Sequence, residues 1–544
     1  MRKILVTSAL VYANGPMHLG HILEQIQADI WVRFQKLRGI DCLYLSGDDA
    51  HGTPIMIAAQ KNDLTPEELI AQSKKSHEQD TQGFLIDFSS YHTTHSEENR
   101  ELTLLIYGQL KKNNDIEVKT IDQVFDEEVG IFLPDRYVKG TCPRCGLVDQ
   151  YGDNCEGCGS TYSPADLLNP ISILSGKPPV QKASEHYFFK LEKYADFLRS
   201  WTEQHLAPEV VNKLNEWLLS GLKSWDISRD APYFGFAIPG VTNKYFYVWL
   251  DAPIGYLASF KHLSLRQPLD FDEYFDKDSK VELYHFIGKD ITYFHTLFWP
   301  AILEGVGFRK PTSVFIHGFL TVNGQKMSKS RGTFILAQNY LKHLNPEYLR
   351  YYLASKLGAG IDDVDLNFDD FIKKNNGDLV GKVINIASRS AKFINDNFQG
   401  MLADHLDMPM LFDDAVARAP KIEEAYEQRN YNSAVRVIME LADVANQYID
   451  EQKPWVLAKA NPKDPRIQAV ATMGLNLYRL LIVFLKPIVP ELARDSEQFL
   501  RIAPLQWQDC REPLLNHSID KFNPLMNRID PKCVEQLLNS DEKK

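Results

Sequence analysis

The chain opens on an apolar run, KILVTSAL. Leu23, Ile26, Ile30, Phe34 and Leu37 then recur at helix spacing, and a second apolar run, DCLYLSG, follows. A strand, a helix of this length and a second strand join as a parallel pair with the helix on one face. The pattern halts near residue 115 and resumes near 245. There KYFYVWL and VELYHFIG read as strands, and ITYFHTLFWPAILEGVG reads as a helix ending near a glycine. TSVFIHGFLTVNGQK reads as a strand entering a hairpin, with Asn323-Gly324 as its turn. Neither half alone holds enough strands for a sheet. The expected fold is therefore an α/β, split, doubly wound parallel sheet (Rossmann-like) with an insertion.

The text between the halves differs in kind. It carries four cysteines and a return segment dense in proline, SPADLLNPISILSGKPPV. From about 370 the strand signals stop. LVGKVINIASRSAKFI, SAVRVIMELADVANQYI and QAVATMGLNLYRLLIVFL have helix periodicity, so an all-α helical bundle is expected. The division is 1–114 and 241–325 for the two halves of the sheet domain, 115–240 for the insertion and 326–372 for a linking subdomain. The bundle spans 373–520 and a tail 521–544. A chain of 544 residues has room for these units.

Cys142, Cys145, Cys155 and Cys158 form two CxxC turns, with Gly146 and Gly159 after the second cysteine of each pair. Four thiolates suit a closed tetrahedral site for one zinc ion. With no open position for water, that zinc is structural. A redox pair is the weaker reading, since two adjacent pairs favour metal.

The net charge of −12 excludes an indiscriminate nucleic-acid coat protein. No secretory pattern opens the chain, and runs such as LLIVFL fall far short of the roughly 18 residues of a membrane span. A cytoplasmic location with no membrane partner is expected.

Two motifs carry chemistry. In PMHLGHI, His18 and His21 flank Gly20 at the start of the first helix, where unpaired N–H groups and the helix dipole favour an anion. Alone, this is a weak signal and reads more readily as a turn with two incidental histidines. In NGQKMSKSRG, Lys326, Lys329 and Arg331 lie on a loop after the hairpin. That is either a solvated charge run or a mobile clamp for a triphosphate.

Together, HLGH and KMSKS resemble the two signatures of class I aminoacyl-tRNA synthetases. YANGPMHLGH, DDAHGTP, THSEEN, WDISRDAPYFG, YVWLDAPIGY, GKD and KMSKSRGTF, with the four-cysteine knuckle, narrow the resemblance. It is to the methionyl family of bacterial one-knuckle type, along almost the whole chain. One departure is Val11, where the family commonly has proline.

The resemblance implies activation of L-methionine by ATP with Mg²⁺ and transfer to the 3′ end of tRNA(Met). It assigns His18, His21, Lys326, Lys329 and Arg229 to catalysis. Tyr12, His18, Gly20, His21, Gly288, Asp290 and Lys329 would bind ATP. Leu10, Tyr12, Trp249, Pro253, Tyr256 and His295 would hold the methionine side chain, and Asp49 its ammonium group. Asn385, Arg389 and Trp455 would read the anticodon, within a locally basic stretch at 373–400. Without the family, Trp249 and Tyr256 read as core aromatics, Arg229 as a partner of a neighbouring aspartate, and Asn385 and Arg389 as a solvated face. The chain is expected to act as a monomer. The rival readings are another class I synthetase without an editing domain, since only residues 22–325 separate the motifs, and a non-catalytic tRNA-binding protein.

Overall fold

The computed structural model describes residues 2–541, apart from 153, 154, 156, 159, 161 and 328–333. Strand β1 (Lys3–Ser8) leads through the short β2 (Val11–Tyr12) to helix α1 (Leu19–Leu37) and strand β3 (Asp41–Asp49). β1 and β3 are parallel, in register from Lys3↔Asp41 to Thr7↔Leu45. β4 (Ser90–Thr93) also pairs with β3, in parallel. The second half of the chain supplies Glu282–Gly288, parallel to β1, and Ser313–His317 beyond it. The chain thus leaves β1 in both directions. The crevice at the carboxyl ends of β1 and Glu282–Gly288 is the switch point where doubly wound sheets bind ligands.

Both faces of the sheet are covered. Ile4 and Val6 enter one core and Leu5 the other, as the period of two requires. The apolar stripe of α1 packs as its spacing predicts, but the polar face is buried too: Gln25, Asp29 and Gln35 are inaccessible. Helical residues from the C-terminal half cover that flank. Arg350 Nη2 donates to Asp29 Oδ2 at 2.6 Å, Gln35 Nε2 to Glu427 Oε2 at 2.9 Å, and the Tyr431 hydroxyl to the Gln27 carbonyl at 2.8 Å. One continuous core therefore runs from the sheet through α1 into the helices.

The insertion is antiparallel. Ile116–Asp126 pairs with Val180–Phe189 from Ile116↔Phe189 to Phe125↔Val180. A smaller sheet of Val138–Thr141, Gln150–Tyr151 and Leu168–Ser172 carries the knuckle, so part of the proline-dense return segment is a strand. After Val364–Leu366 every described regular element is helical.

Two expectations change. KYFYVWL is not one strand: Lys244–Phe246 is extended, but Val248 begins a helix to Ser264 that carries Pro253 inside it. The aromatic run has the composition of a strand, and burial against the sheet overrides that propensity. Pro465–Leu485 is long and apolar enough to cross a bilayer, although no uninterrupted run signals it. In the fold 89% of its most apolar window is buried, packed against Asn385–Phe398 and Tyr431–Gln452.

Candidate active site

His18 caps α1. Its Nδ1 accepts from Gly20 N at 3.1 Å, and His21 Nδ1 accepts from His18 N at 3.3 Å. The two rings stack with centroids 3.7 Å apart. Since both Nδ1 atoms are acceptors, each neutral ring carries its proton on Nε2 and presents an N–H donor. Burial, then the neighbouring His18 and His77, holds His21 well below the usual histidine range, so it stays neutral at pH 7.

The lysine hairpin meets this helix start. Leu320–Val322 and Gln325–Lys326 pair around Asn323-Gly324, both with positive φ, as a two-residue turn of this sequence prefers. The chain from Phe334 onward binds the first motif. Leu19 N donates to the Ile335 carbonyl and Ala337 N to the Met17 carbonyl, each at 3.0 Å. The Phe334 ring lies 4.9 Å from that of His18. A Cβ on Gly20 would stand 2.7 Å from Met327 Cε and 2.8 Å from His18 Cε1, so only glycine permits this approach. Lys329 and Arg331 lie outside the described residues.

Leu10, Tyr12, His18, Gly20, His21, Gly288, Asp290 and Lys326 line one cavity of about 450 Å³. Tyr12 also borders a second, of about 380 Å³, with Asp49, Arg229 and Trp249. Pro253, Tyr256 and His295 are buried and line neither cavity. The Tyr256 hydroxyl donates to His295 Nε2 at 2.8 Å, and His295 Nδ1 donates to the Ile291 carbonyl at 3.2 Å. Burial lowers the His295 pKa to about 4, so this ring is neutral. Leu10 reaches that wall, lying 2.8 Å from where a Cβ on Gly255 would sit. Val11, despite the departure from proline, is buried in β2 and pairs with Asp48 of β3.

Asp49 brings an unsatisfied buried oxygen to the site. Among the described residues its Oδ1 has no hydrogen-bond partner, and burial, then Asp251, raises its pKa well above the carboxylate range. An ammonium group would satisfy both conditions. Arg229 Nη1 donates to Asp226 Oδ2 at 3.2 Å, and its guanidinium covers Tyr247, 3.7 Å from the ring centroid.

The four knuckle sulfurs lie within 4.8 Å of one another, with Cys142 and Cys158 at 3.8 Å and Cys145 and Cys155 at 3.5 Å. A tetrahedron with Zn–S of about 2.3 Å has edges of about 3.8 Å. Backbone N–H groups of Arg144 and Cys158 point at Cys142 and Cys155 Sγ, each at 3.4 Å. The cluster fits one zinc ion.

On the helical side, Arg389 lies over Trp455 at 5.0 Å and Asn385 binds Asn446 Oδ1 at 3.1 Å. The local excess of cations at 373–400 is largely paired: Lys374 with Asp378, Lys382 with Asp443, Arg389 with Asp450 and Lys392 with Asp396. It does not offset the acidic total.

Residues at and behind the site escape sequence reasoning. Glu24 follows His21 by three positions on α1 and sits 3.2 Å from His317 Nε2; both border the first cavity. Helix spacing could find Glu24, whereas His317 is marked only by its place at a strand end. Trp225 lies in the quoted WDISRDAP, 5.4 Å from Trp249. No local pattern sets it apart from a core aromatic.

A nucleotide-sized crevice at the switch point of a parallel sheet, with an imidazole pair and a lysine hairpin over it, defines a nucleotide-activating α/β enzyme. The family described as tRNA synthetases class I (M) matches residues 4–391, and the anticodon binding domain of methionyl tRNA ligase matches 406–521. Among solved structures, Mycobacterium tuberculosis methionyl-tRNA synthetase in complex with methionyl-adenylate aligns at TM-score 0.80 and 24% identity, over 97% of this chain and 100% of that one. The apo form from that organism aligns at 0.73 and 22%, over 98% and 99%. At such identity these structures attest the fold. The chain belongs to the methionyl family of class I tRNA synthetases; its reaction is ATP-dependent activation of methionine and transfer to tRNA. That excludes the other class I enzymes and the non-catalytic reading.

Proposed function

We propose that the two cavities divide the reaction between nucleotide and amino acid. A methionine carboxylate oxygen attacks the α-phosphorus of ATP, the bond to the β-phosphate oxygen breaks, and pyrophosphate leaves. His18 and His21 donate from Nε2 to phosphate oxygens as negative charge grows, an interaction strongest in the transition state. Lys326 and Lys329 hold the departing pyrophosphate, and Mg²⁺ enters with ATP as part of the substrate. Tyr12, Gly20, Gly288 and Asp290 position the nucleotide, and Arg229 meets an anionic part of the reacting pair. Leu10, Tyr12 and Trp249, which border the cavities, meet the methionine side chain, Pro253, Tyr256 and His295 are the buried residues that back this wall, and Asp49 takes the ammonium. A terminal ribose hydroxyl of tRNA then attacks the activated carbonyl carbon and AMP leaves.

In the same reading Asn385, Arg389 and Trp455 recognise the anticodon of tRNA(Met), and Cys142, Cys145, Cys155 and Cys158 hold one structural Zn²⁺. The units divide at 114/115, 240/241, 325/326, 372/373 and 520/521, and the enzyme works as a cytoplasmic monomer. The observation that supports the site assignment most is the convergence of the histidine pair and the lysine hairpin on one cavity.

Asp49→Asn tests the amino-acid side. Because burial raises the folded pKa of Asp49 above its unfolded value, the stability it gives is present below the unfolded pKa. That stability is lost as pH rises through the folded pKa. Asparagine does not titrate, so at pH 7.5 the variant should be more stable by about 1–3 kcal/mol. Its methionine KM should rise ~10-fold or more. Thermal denaturation and pyrophosphate exchange read the two effects, and an unchanged methionine KM would remove Asp49 from the ammonium role.

Trp455→Ala tests the RNA side. Base stacking of about 1–3 kcal/mol should be lost, raising the KM for tRNA by ~10–100-fold with the loss confined to the tRNA-dependent step. Aminoacylation at varied tRNA decides it; an unaltered KM assigns Trp455 to packing.

A further inference from the structure

Arg229 is held at rest by an arrangement that also provides for its departure. Two hydrogen bonds that anchor it come from Nη1: one to Asp226 Oδ2 at 3.2 Å, one to the Ser228 carbonyl at 2.6 Å. It borders the cavity shared with Asp49 and Trp249. It also borders a smaller one, of about 80 Å³, shared with His186, Asp226 and Asp230. Asp226 Oδ2 serves two donors, because His186 Nδ1 binds the same oxygen at 2.8 Å.

The imidazole of His186 is 2% exposed and spans two carboxylates, with Nε2 at 2.9 Å from Asp230 Oδ2. Asp230 has a cation of its own in Lys244, at 2.6 Å, and a hydrogen bond from Ser184 at 2.9 Å. A neutral imidazole has one N–H and could satisfy only one carboxylate; the imidazolium satisfies both. The charged groups around the ring are Asp226, Asp230, Lys244, Arg229 and Asp135, with Lys119 opposite it on the neighbouring strand. Burial opposes the charge, the hydrogen-bonded carboxylates outweigh it, and the pKa lies above the usual histidine value.

We infer that Asp226 and His186 are positioning residues that park Arg229 and release it to an oxyanion of the reacting pair. This rests on the assignment of Arg229 to the reaction. If Arg229 swung away from an Asp226 whose Oδ2 had no other partner, a charged oxygen in a partly buried carboxylate would be stranded, which opposes the movement. The imidazolium removes that penalty by remaining on Asp226. Asp226 Oδ1 keeps its hydrogen bonds from Ser228 N at 3.0 Å and Ser228 Oγ at 3.1 Å in either state. When His186 loses its proton, Arg229 becomes the cation that Oδ2 retains, and it is held back. Adenylate formation should therefore fall as pH rises through the His186 pKa.

The test is pyrophosphate exchange by the full, zinc-loaded chain from pH 6 to 9.5, with methionine and ATP varied separately. His186→Gln should lose ~10-fold in kcat/KM at pH 7 and lack the alkaline limb of the parent. Adding Asp226→Asn should recover most of that loss, since no carboxylate then retains Arg229. Additive losses in the double variant, or a limb that survives in His186→Gln, would overturn the inference. Asp226→Asn alone is an independent arm: a persisting limb there overturns it even if His186→Gln does not fold. Arg229→Gln separates the two levels. If it exchanges at the parental rate, the role of Arg229 fails and the inference with it; if it is slow while His186→Gln matches the parent at every pH, the inference alone fails. The KM that moves identifies the oxyanion, a methionine carboxylate or an ATP phosphate.

Discussion

Alanine at His21, or at Lys329, should slow methionine-dependent exchange of pyrophosphate into ATP by about 10²–10³-fold, the usual cost of removing one preorganised donor from a growing negative charge. For His21 the donor is Nε2–H, fixed by the backbone N–H of His18 on Nδ1. The ring is neutral because burial lowers its pKa, so the ratio of parental to variant rate should be flat from pH 6.5 to 8.5. The loss should appear mainly in kcat, since a contact that strengthens in the transition state leaves ground-state binding little changed. For Lys329 the expectation comes from the family motif. A unit change in exchange rate for either variant would remove that residue from the chemistry.

Removing the knuckle metal should have the largest energetic consequence. Cys142→Ser breaks the tetrahedral set, and structural zinc sites in small domains contribute on the order of 10–16 kcal/mol. The sheet around the knuckle has little else to hold it: Val124, Leu133, Tyr137, Val138 and Leu167 make up its small core. Its buried residues are absent from the two large cores, so unfolding should stay local. Zinc content should fall from one per chain to none. Amides of residues 138–172 should lose protection from hydrogen exchange while those of β1 and α1 keep it. Full protection of the knuckle without metal would contradict a structural role.

The two α/β halves were legible in the sequence because a buried parallel strand is a continuous apolar run and α1 carries a full helical stripe. The Asn323-Gly324 turn and the two CxxC pairs were equally plain, since each residue type there is demanded by backbone geometry or by a ligand. What stayed hidden depends on distant partners. Asp29 and Gln35 are polar residues of α1 whose burial depends on Arg350 and Glu427, far away in the sequence. His317 borders the first cavity, and Trp225 packs on Trp249, through tertiary packing alone. The sequence of 373–400 shows an excess of cations, and only the tertiary fold shows Lys382 and Arg389 paired with Asp443 and Asp450 of Tyr431–Gln452.

The central claim is that the helix start at His18–His21 and the lysine hairpin grip one triphosphate between them. A crystal structure of the full chain with methionine and a non-hydrolysable ATP analogue tests it most directly. The account predicts phosphate oxygens within hydrogen-bond distance of Nε2 of His18 and His21, with Lys329 folded onto the terminal phosphates. A triphosphate bound elsewhere, with both Nε2 atoms turned from it, would contradict the account.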